Sequence, residues 1–279
     1  MRADRTTARR TGRGRLSTVG GAACVVSLAG QSFALAGEIS IEDRLVALKQ
    51  AYSGYVKDIT PTHIVMRDGS TILTDDKRPK SFSEKLENAD IEDMLSQVYP
   101  VVGCEKPGNP RVNFDPGRIR NERFFKAVYG HVKSNVVRKL VNVDWFGQDI
   151  KVNGAFGLPE KLAAVVEELR PNLATLKQFL VPSAGGFNWR PIAGTDRLSA
   201  HSFGIAIDIS SAKTEYWRWA KSPAGAKLKA RNVLPEEIVA AFERHGFIWG
   251  GKWYHFDTMH FEYRPELIEI GRLAKERGC

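Results

Sequence analysis

Apolar and polar positions alternate along the chain with two different periods. Ile41, Leu45, Leu48 and Tyr52 fall on one side of a short helix over residues 41–53. His63-Ile64-Val65-Met66 and Thr71-Ile72-Leu73 flank Arg67-Asp68-Gly69-Ser70, and an Asp-Gly turn between such runs predicts a β-hairpin. Asp90 is placed to cap a helix carrying Ile91, Met94, Leu95 and Val98. Residues 100–119 are rich in Pro, Gly and Asn and read as a loop.

From about residue 120 the elements become denser. Phe124 to Leu140 reads as a helix, and Leu162, Val165, Val166 and Leu169 give a second apolar stripe, stopped by Pro171. A Gly-containing loop from Gly185 runs into a strand over Ile205–Ile209. A helix is expected from Pro235 to Gly246, with Ile238, Val239 and Phe242 inward. A strand over Met259–Tyr263 and a closing helix near Glu266–Lys275 follow. Tyr216-Trp217-Arg218-Trp219 reads as part of an amphipathic helix packed on the sheet. There is no internal repeat and no long low-complexity linker. Well-separated strands among helices predict an α+β fold, a small antiparallel sheet flanked by helices, with an accessory region ahead of it.

The first 36 residues do not share these patterns. Arg2, Arg5, Arg9, Arg10, Arg13 and Arg15 are opposed only by Asp4, and an apolar, small-residue stretch ends in Ala34-Leu35-Ala36. That is the order of a secretory signal peptide, with cleavage expected after Ala36. Gly20, Gly21, Gly30, Gln31 and Ser32 interrupt the stretch, which argues against a stable membrane span. The expected organisation is therefore a signal peptide over 1–36, an accessory region over 37–115 and a catalytic domain over 116–279, exported to the periplasm or beyond the cell.

Composition adds two constraints. Without residues 1–36 the net charge falls from +9 to +4, a balance compatible with an anionic wall polymer that gives no argument for nucleic acid. Cys24 leaves with the signal, so Cys104 and Cys279 remain, and an oxidising compartment permits a disulfide between them.

The chemistry is concentrated in Ser199-Ala200-His201-Ser202-Phe203-Gly204-Ile205-Ala206-Ile207-Asp208 and in Asp257-Thr258-Met259-His260-Phe261-Glu262. Two imidazoles and one carboxylate, His201, Asp208 and His260, suit Zn2+, and three protein ligands leave a fourth coordination position open, as a catalytic site requires. Such a site needs a base. Asp257, three residues before His260, can serve only from the turn ahead of the strand, because strand positions three apart face opposite sides. His255 is an alternative ligand or a support for one, and Glu262 shares the face of His260 as a supporting group, an Arg partner or a catalytic acid. Trp189, Trp249, Trp253 and Tyr254 flank these motifs, as core residues or as walls of a peptide groove.

Ser-x-His-x-x-Gly-x-Ala-x-Asp followed by Asp-x-x-His-Phe-Glu resembles the zinc D-Ala-D-Ala carboxypeptidases and dipeptidases of the vancomycin-resistance type. The same family includes L-alanyl-D-glutamate endopeptidases of phage endolysins, within a wider group that holds lysostaphin-type peptidases and the hedgehog signalling domain. The motif-bearing resemblance covers about residues 181–265. It implies that His201, Asp208 and His260 are metal ligands, that Asp257 takes an acidic catalytic position where some members carry Glu, and that Ser199 supports the first ligand. It also implies an arginine upstream that binds substrate or steadies the oxyanion. Arg190 is the better match, with Arg197 as its competitor. The implied substrate is the peptidoglycan stem peptide, cut either at D-Ala-D-Ala or at L-Ala-D-Glu. Two rivals stand beside this reading: a non-catalytic, zinc-stabilised module for wall binding or signalling, and a peptidase for free D-amino-acid dipeptides.

Overall fold

The structure, a computed structural model, describes residues 38–105, 110–220 and 234–279. The expected signal peptide lies outside these residues.

Helix α1 (Ile41–Ala51) begins where Ser40 accepts from the Asp43 amide while Asp43 reaches back to the Ser40 amide, a reciprocal cap. The chain then forms an antiparallel sheet of β1 (Val56–Ile59), β2 (His63–Met66) and β3 (Thr71–Leu73), in which the expected hairpin pairs His63 with Leu73. Strand β1 was not anticipated. Helix α2 (Phe82–Asn88) leads to α3 (Ile91–Leu95), capped by Asp90 as expected. The Lys80 ammonium sits among Asp76, Asp90 and Asp93 at 2.6–2.9 Å and ties this corner together.

The continuous helix expected over Phe124–Leu140 is instead three elements: α4 (Glu122–Tyr129), α5 (Lys133–Val137) and the start of strand β4 (Leu140–Trp145). Gly130, at φ 142°, ends α4, a backbone state that a helix cannot continue through. Strand β4 pairs along its length with β5 (Gln148–Asn153) across the two-residue turn Phe146-Gly147, both at positive φ. Helix α6 (Leu158–Leu169) buries the expected stripe of Leu162, Val165, Val166 and Leu169. The α-helix ends at Leu169, as Pro171 predicts, and Pro171 then lies in a 3₁₀ turn, Arg170–Asn172. It occupies a first-turn position, where its missing amide is not required, and the chain continues into α7 (Leu173–Leu180).

The remaining elements are β6 (Ala206–Asp208), α8 (Glu236–Arg244), β7 (Phe247–Trp249), β8 (His260–Tyr263) and α9 (Pro265–Glu276). Strands β6 and β7 both pair antiparallel with β8, in the order β6-β8-β7. The fold is α+β, as the sequence predicts. Phe242 of α8 stacks on Phe261 of β8 with ring centroids 3.7 Å apart, fixing helix on sheet. The early segment packs on this layer: Tyr52, which caps the end of α1, donates to Glu266 of α9, and Tyr99 donates to Glu243 of α8. The expected helix at Tyr216–Trp219 is absent. Tyr216 instead forms an isolated bridge with Asp257, and Trp219 stays 64% exposed. Among the described residues no helix is long and apolar enough to cross a membrane.

Cys104 and Cys279 are joined, with α-carbons 5.8 Å apart and a sequence separation of 175. Closing so long a loop restricts the unfolded chain. Reduction is therefore expected to lower the unfolding free energy by about 2–4 kcal/mol. Urea denaturation with and without reductant measures it, with a Cys104→Ser/Cys279→Ser variant as the reduced reference. An unchanged midpoint would show that non-covalent contacts alone hold the C-terminus.

Candidate functional site

The register of the small sheet sets Asp208 of β6 directly opposite His260 of β8. Paired residues in an antiparallel sheet project to the same face, so the two side chains meet. Their atoms Asp208 Oδ1 and His260 Nδ1 lie 2.9 Å apart. His201 reaches the same point from a 3₁₀ turn, Ala200–Phe203, just ahead of β6. Its Nε2 is 3.2 Å from His260 Nδ1 and 3.2 Å from Asp208 Oδ1.

The turn that delivers His201 depends on Gly204. At φ 70° this residue is left-handed, and an added Cβ would lie 2.9 Å from the Asn153 amide nitrogen. Strand β5 takes advantage of that gap: the Asn153 amide donates to Gly204 O at 2.8 Å, and its side-chain nitrogen donates to Phe203 O at 3.1 Å. The His201 ring is oriented by its Nδ1–H, which donates to Gly186 O at 2.7 Å and leaves Nε2 to face the cluster. Ser199 accepts from the His201 amide at 3.4 Å, capping the turn.

His260 is oriented from behind. Its Nε2 lies 3.4 Å from Glu262 Oε2, and Glu262, fully buried, also accepts from Arg120 at 3.2 Å and Arg264 at 3.3 Å. An imidazole pinned on one nitrogen by a carboxylate presents the other in a fixed tautomer. Burial would raise the Glu262 carboxyl, but the Arg120 charge, the His260 hydrogen bond and Arg264 draw it down to about 2. Burial opposes the charged form of His260, yet hydrogen bonds to Asp208 and Glu262 lift it to about 10. Burial likewise opposes the Asp208 carboxylate, and the two imidazoles hold it far below the usual range. The cluster thus favours positive charge at its centre.

Asp257 lies on the turn before β8. Its amide donates to Gly250 O at 3.0 Å, its carbonyl accepts from the His260 amide at 3.2 Å, and its Oδ1 is buried with no hydrogen-bond partner among the described residues. Burial raises its carboxyl, His260 opposes that, Asp208 adds to it, and Arg118 and His201 pull it down.

Arg197 is paired with Glu87 at 3.2 Å. Arg190 is exposed, but its peptide is tied to the turn of His201: its amide donates to Ser202 Oγ at 2.9 Å, and its carbonyl accepts from the Ser199 amide at 3.1 Å. Arg118, which the sequence reading passed over, is the arginine stacked on Trp253, 4.5 Å from the ring centroid, and Trp253 in turn lies 5.7 Å from the His260 ring. His255 does not join the cluster; Asp115 holds its Nδ1 at 2.7 Å. Trp249 and Trp253 are buried, whereas Trp189 and Tyr254 are half-buried. Asp115, Arg118 and Arg120 were hidden because Asp115-Pro116-Gly117-Arg118-Ile119-Arg120 reads locally as loop chemistry, and only the fold carries it to the sheet.

No curated protein and no solved structure matches the chain. Residues 193–263, from the loop ahead of His201 to the end of β8, match the profile of the family described as D-alanyl-D-alanine carboxypeptidase, so over that segment the family that the motifs resemble is the one found.

Proposed function

We propose that the protein is an exported zinc metallopeptidase that hydrolyses peptide bonds in peptidoglycan stem peptides. One observation carries this reading: the three donor atoms His201 Nε2, His260 Nδ1 and Asp208 Oδ1 form a triangle with sides of 2.9–3.2 Å, with Asp257 near them and its buried Oδ1 unpartnered among the described residues. Tetrahedral zinc with bonds of ~2.0–2.1 Å separates its ligand atoms by about 3.3 Å, so the triangle fits one face of that coordination with small adjustments. Two imidazoles and a carboxylate are also the ligand chemistry that zinc accepts. The charge balance agrees, since a dication takes the place of the proton that Asp208 and Glu262 otherwise hold on His260.

His201, Asp208 and His260 would hold the metal. When bound there, zinc supplies a Lewis acid that polarises the scissile carbonyl and acidifies water at the site. Asp257 Oδ1 takes the proton of the attacking water and returns it to the departing amine. Arg190, on the loop fastened to the His201 turn, meets the substrate carboxylate or the developing oxyanion. Glu262 keeps the His260 ring turned toward the cluster. Residues 1–36 serve export, 37–115 form an accessory region and 116–279 carry the site. The disulfide Cys104–Cys279 supports an oxidising destination.

The test is incubation of the zinc-loaded protein with purified muropeptides, read by mass spectrometry, with a chelated sample alongside. Loss of one alanine, or a cut between L-Ala and D-Glu, absent after chelation, is the expected result and names the bond. No product from protein shown to hold one zinc would replace this reading with that of a wall-binding or signalling module.

A further inference from the structure

The segment that matches the family begins at residue 193, yet the turn carrying Asp257 is held by residues far upstream of it. Loop residues 114–118 grip residues 253–255 through five hydrogen bonds. Trp253 Nε1 donates to Pro116 O at 2.6 Å, and the Tyr254 amide donates to Phe114 O at 2.8 Å. The His255 amide donates to Asp115 Oδ1 at 2.7 Å, its Nδ1–H donates to Asp115 Oδ2 at 2.7 Å, and Arg118 Nη2 donates to His255 O at 2.6 Å. Gly117, at φ 105°, allows the loop to lie this close: a Cβ there would stand 2.4 Å from Ile248 Cδ1 of β7. On the far side, the Trp217 amide donates to Phe256 O at 2.9 Å and the Thr258 amide donates to Glu215 O at 2.9 Å.

We propose that Asp115 is a positioning residue for the reaction, and that segment 114–118 is a clamp that fixes the 253–257 turn so that Asp257 faces the triad. The inference rests on the peptidase reading above. Asp115 is fully buried and spends both carboxylate oxygens on His255, two residues before Asp257. A carboxylate is costly to bury and is not needed merely to fill that space. Neither Asp115 nor Arg118 touches His201, Asp208 or His260 by hydrogen bond, so the clamp governs the placement of the base and leaves metal binding to the sheet and the His201 turn. Small displacements of a reacting group are enough to lose rate, because proton transfer needs hydrogen-bond reach.

The test separates position from packing. Asp115→Ala is expected to lower kcat about 50-fold or more, while KM and zinc affinity stay within about threefold. Asp115→Asn keeps the shape, can still accept from the His255 amide and lets the imidazole exchange tautomers, so it is expected to stay within about threefold of the parent in all three quantities. A kcat for Asp115→Ala within threefold of the parent would overturn the clamp, as would a KM rising or a zinc affinity falling in step with the loss of kcat. If Asp115→Ala does not fold, Arg118→Met removes the bond to His255 O together with the charge over Trp253 that also acts on Asp257, and the same split decides. Should the parent turn over no muropeptide, the peptidase reading fails separately. Amide hydrogen exchange in the zinc-loaded protein then judges the clamp. Asp115→Ala must speed exchange in a peptide covering 253–257 at least tenfold with 206–209 unchanged, and equal rates in both segments overturn it.

Discussion

Asp257→Asn is expected to lower kcat about 1000-fold while the protein still binds one zinc and retains its KM within a few-fold. General acid–base groups contribute about 10²–10⁴ in rate, and a 1000-fold loss is roughly 4 kcal/mol of transition-state stabilisation. The structure gives the reason for expecting a large effect. Asp257 Oδ1 is buried and makes no hydrogen bond among the described residues, an arrangement that costs stability and that a purely structural carboxylate would relieve. Asn preserves the size of the side chain and the backbone bond to Gly250, but has no basicity. The same variant makes a second, opposite prediction about the fold. Burial and the charge of Asp208 raise the Asp257 carboxyl in the metal-free protein, against the pull of His260, Arg118 and His201. An acid raised by folding weakens the fold once the pH exceeds its unfolded value, and that penalty is fully present above its folded value. Metal-free Asp257→Asn is therefore expected to unfold at a higher temperature than the parent near pH 7, with the advantage gone below about pH 3.8. Steady-state kinetics with metal analysis, and thermal melts at the two pH values, measure both halves. A kcat within tenfold of the parent would remove Asp257 from the mechanism.

The nearness of His201, Asp208 and His260 was legible because it depends on short-range facts. Gly204 turns the chain between the first two, and one antiparallel pairing brings the third opposite the second. Helix α8 and helix α9 were legible from Pro235, Gly246 and the periodic apolar residues between and beyond them. What failed depended on single backbone states or on distance. The apolar rhythm of Phe124, Phe125, Val128, Val136 and Val137 continues through Gly130 as if one helix ran on, and only the positive φ of Gly130 ends it. Strand β7 has three residues, too few for any period to show. Tyr216–Trp219 has the composition of a packed helix, yet the segment is used as an edge that braces Asp257. The roles of Asp115 and Arg118 follow from contacts across about 140 residues of chain, for which a Pro-Gly loop carries no local signal.

Arg264→Met is expected to destabilise the protein by about 3–5 kcal/mol, the usual loss when one member of a buried ion network is removed. Arg264, Glu262 and Glu266 are all fully buried. The guanidinium donates to Glu266 Oε1 at 2.6 Å, to Glu262 Oε1 at 3.3 Å and to Gly117 O at 2.9 Å, and it lies 5.0 Å from the centroid of the Phe125 ring. Met fills much of the same volume and keeps the contact with Phe125, so the loss reports the charge and its hydrogen bonds, not a cavity. Glu262 retains Arg120 and His260 after the change, but Glu266 is left with Tyr52 alone among the partners described. That asymmetry sets a further expectation. The damage should concentrate where α1 meets α9, through the Tyr52–Glu266 bond, and Glu266→Gln in the Arg264→Met background should recover part of it by removing the stranded charge. A surface pair gives the contrast: Arg170 and Glu167 meet at 2.8 Å but are about half exposed or more, and Arg170→Met should cost less than about 1 kcal/mol. Urea unfolding of the three variants against the parent decides the matter. A loss below 1 kcal/mol for Arg264→Met would mean that the buried charges are not what joins the N-terminal helix to the strand behind His260.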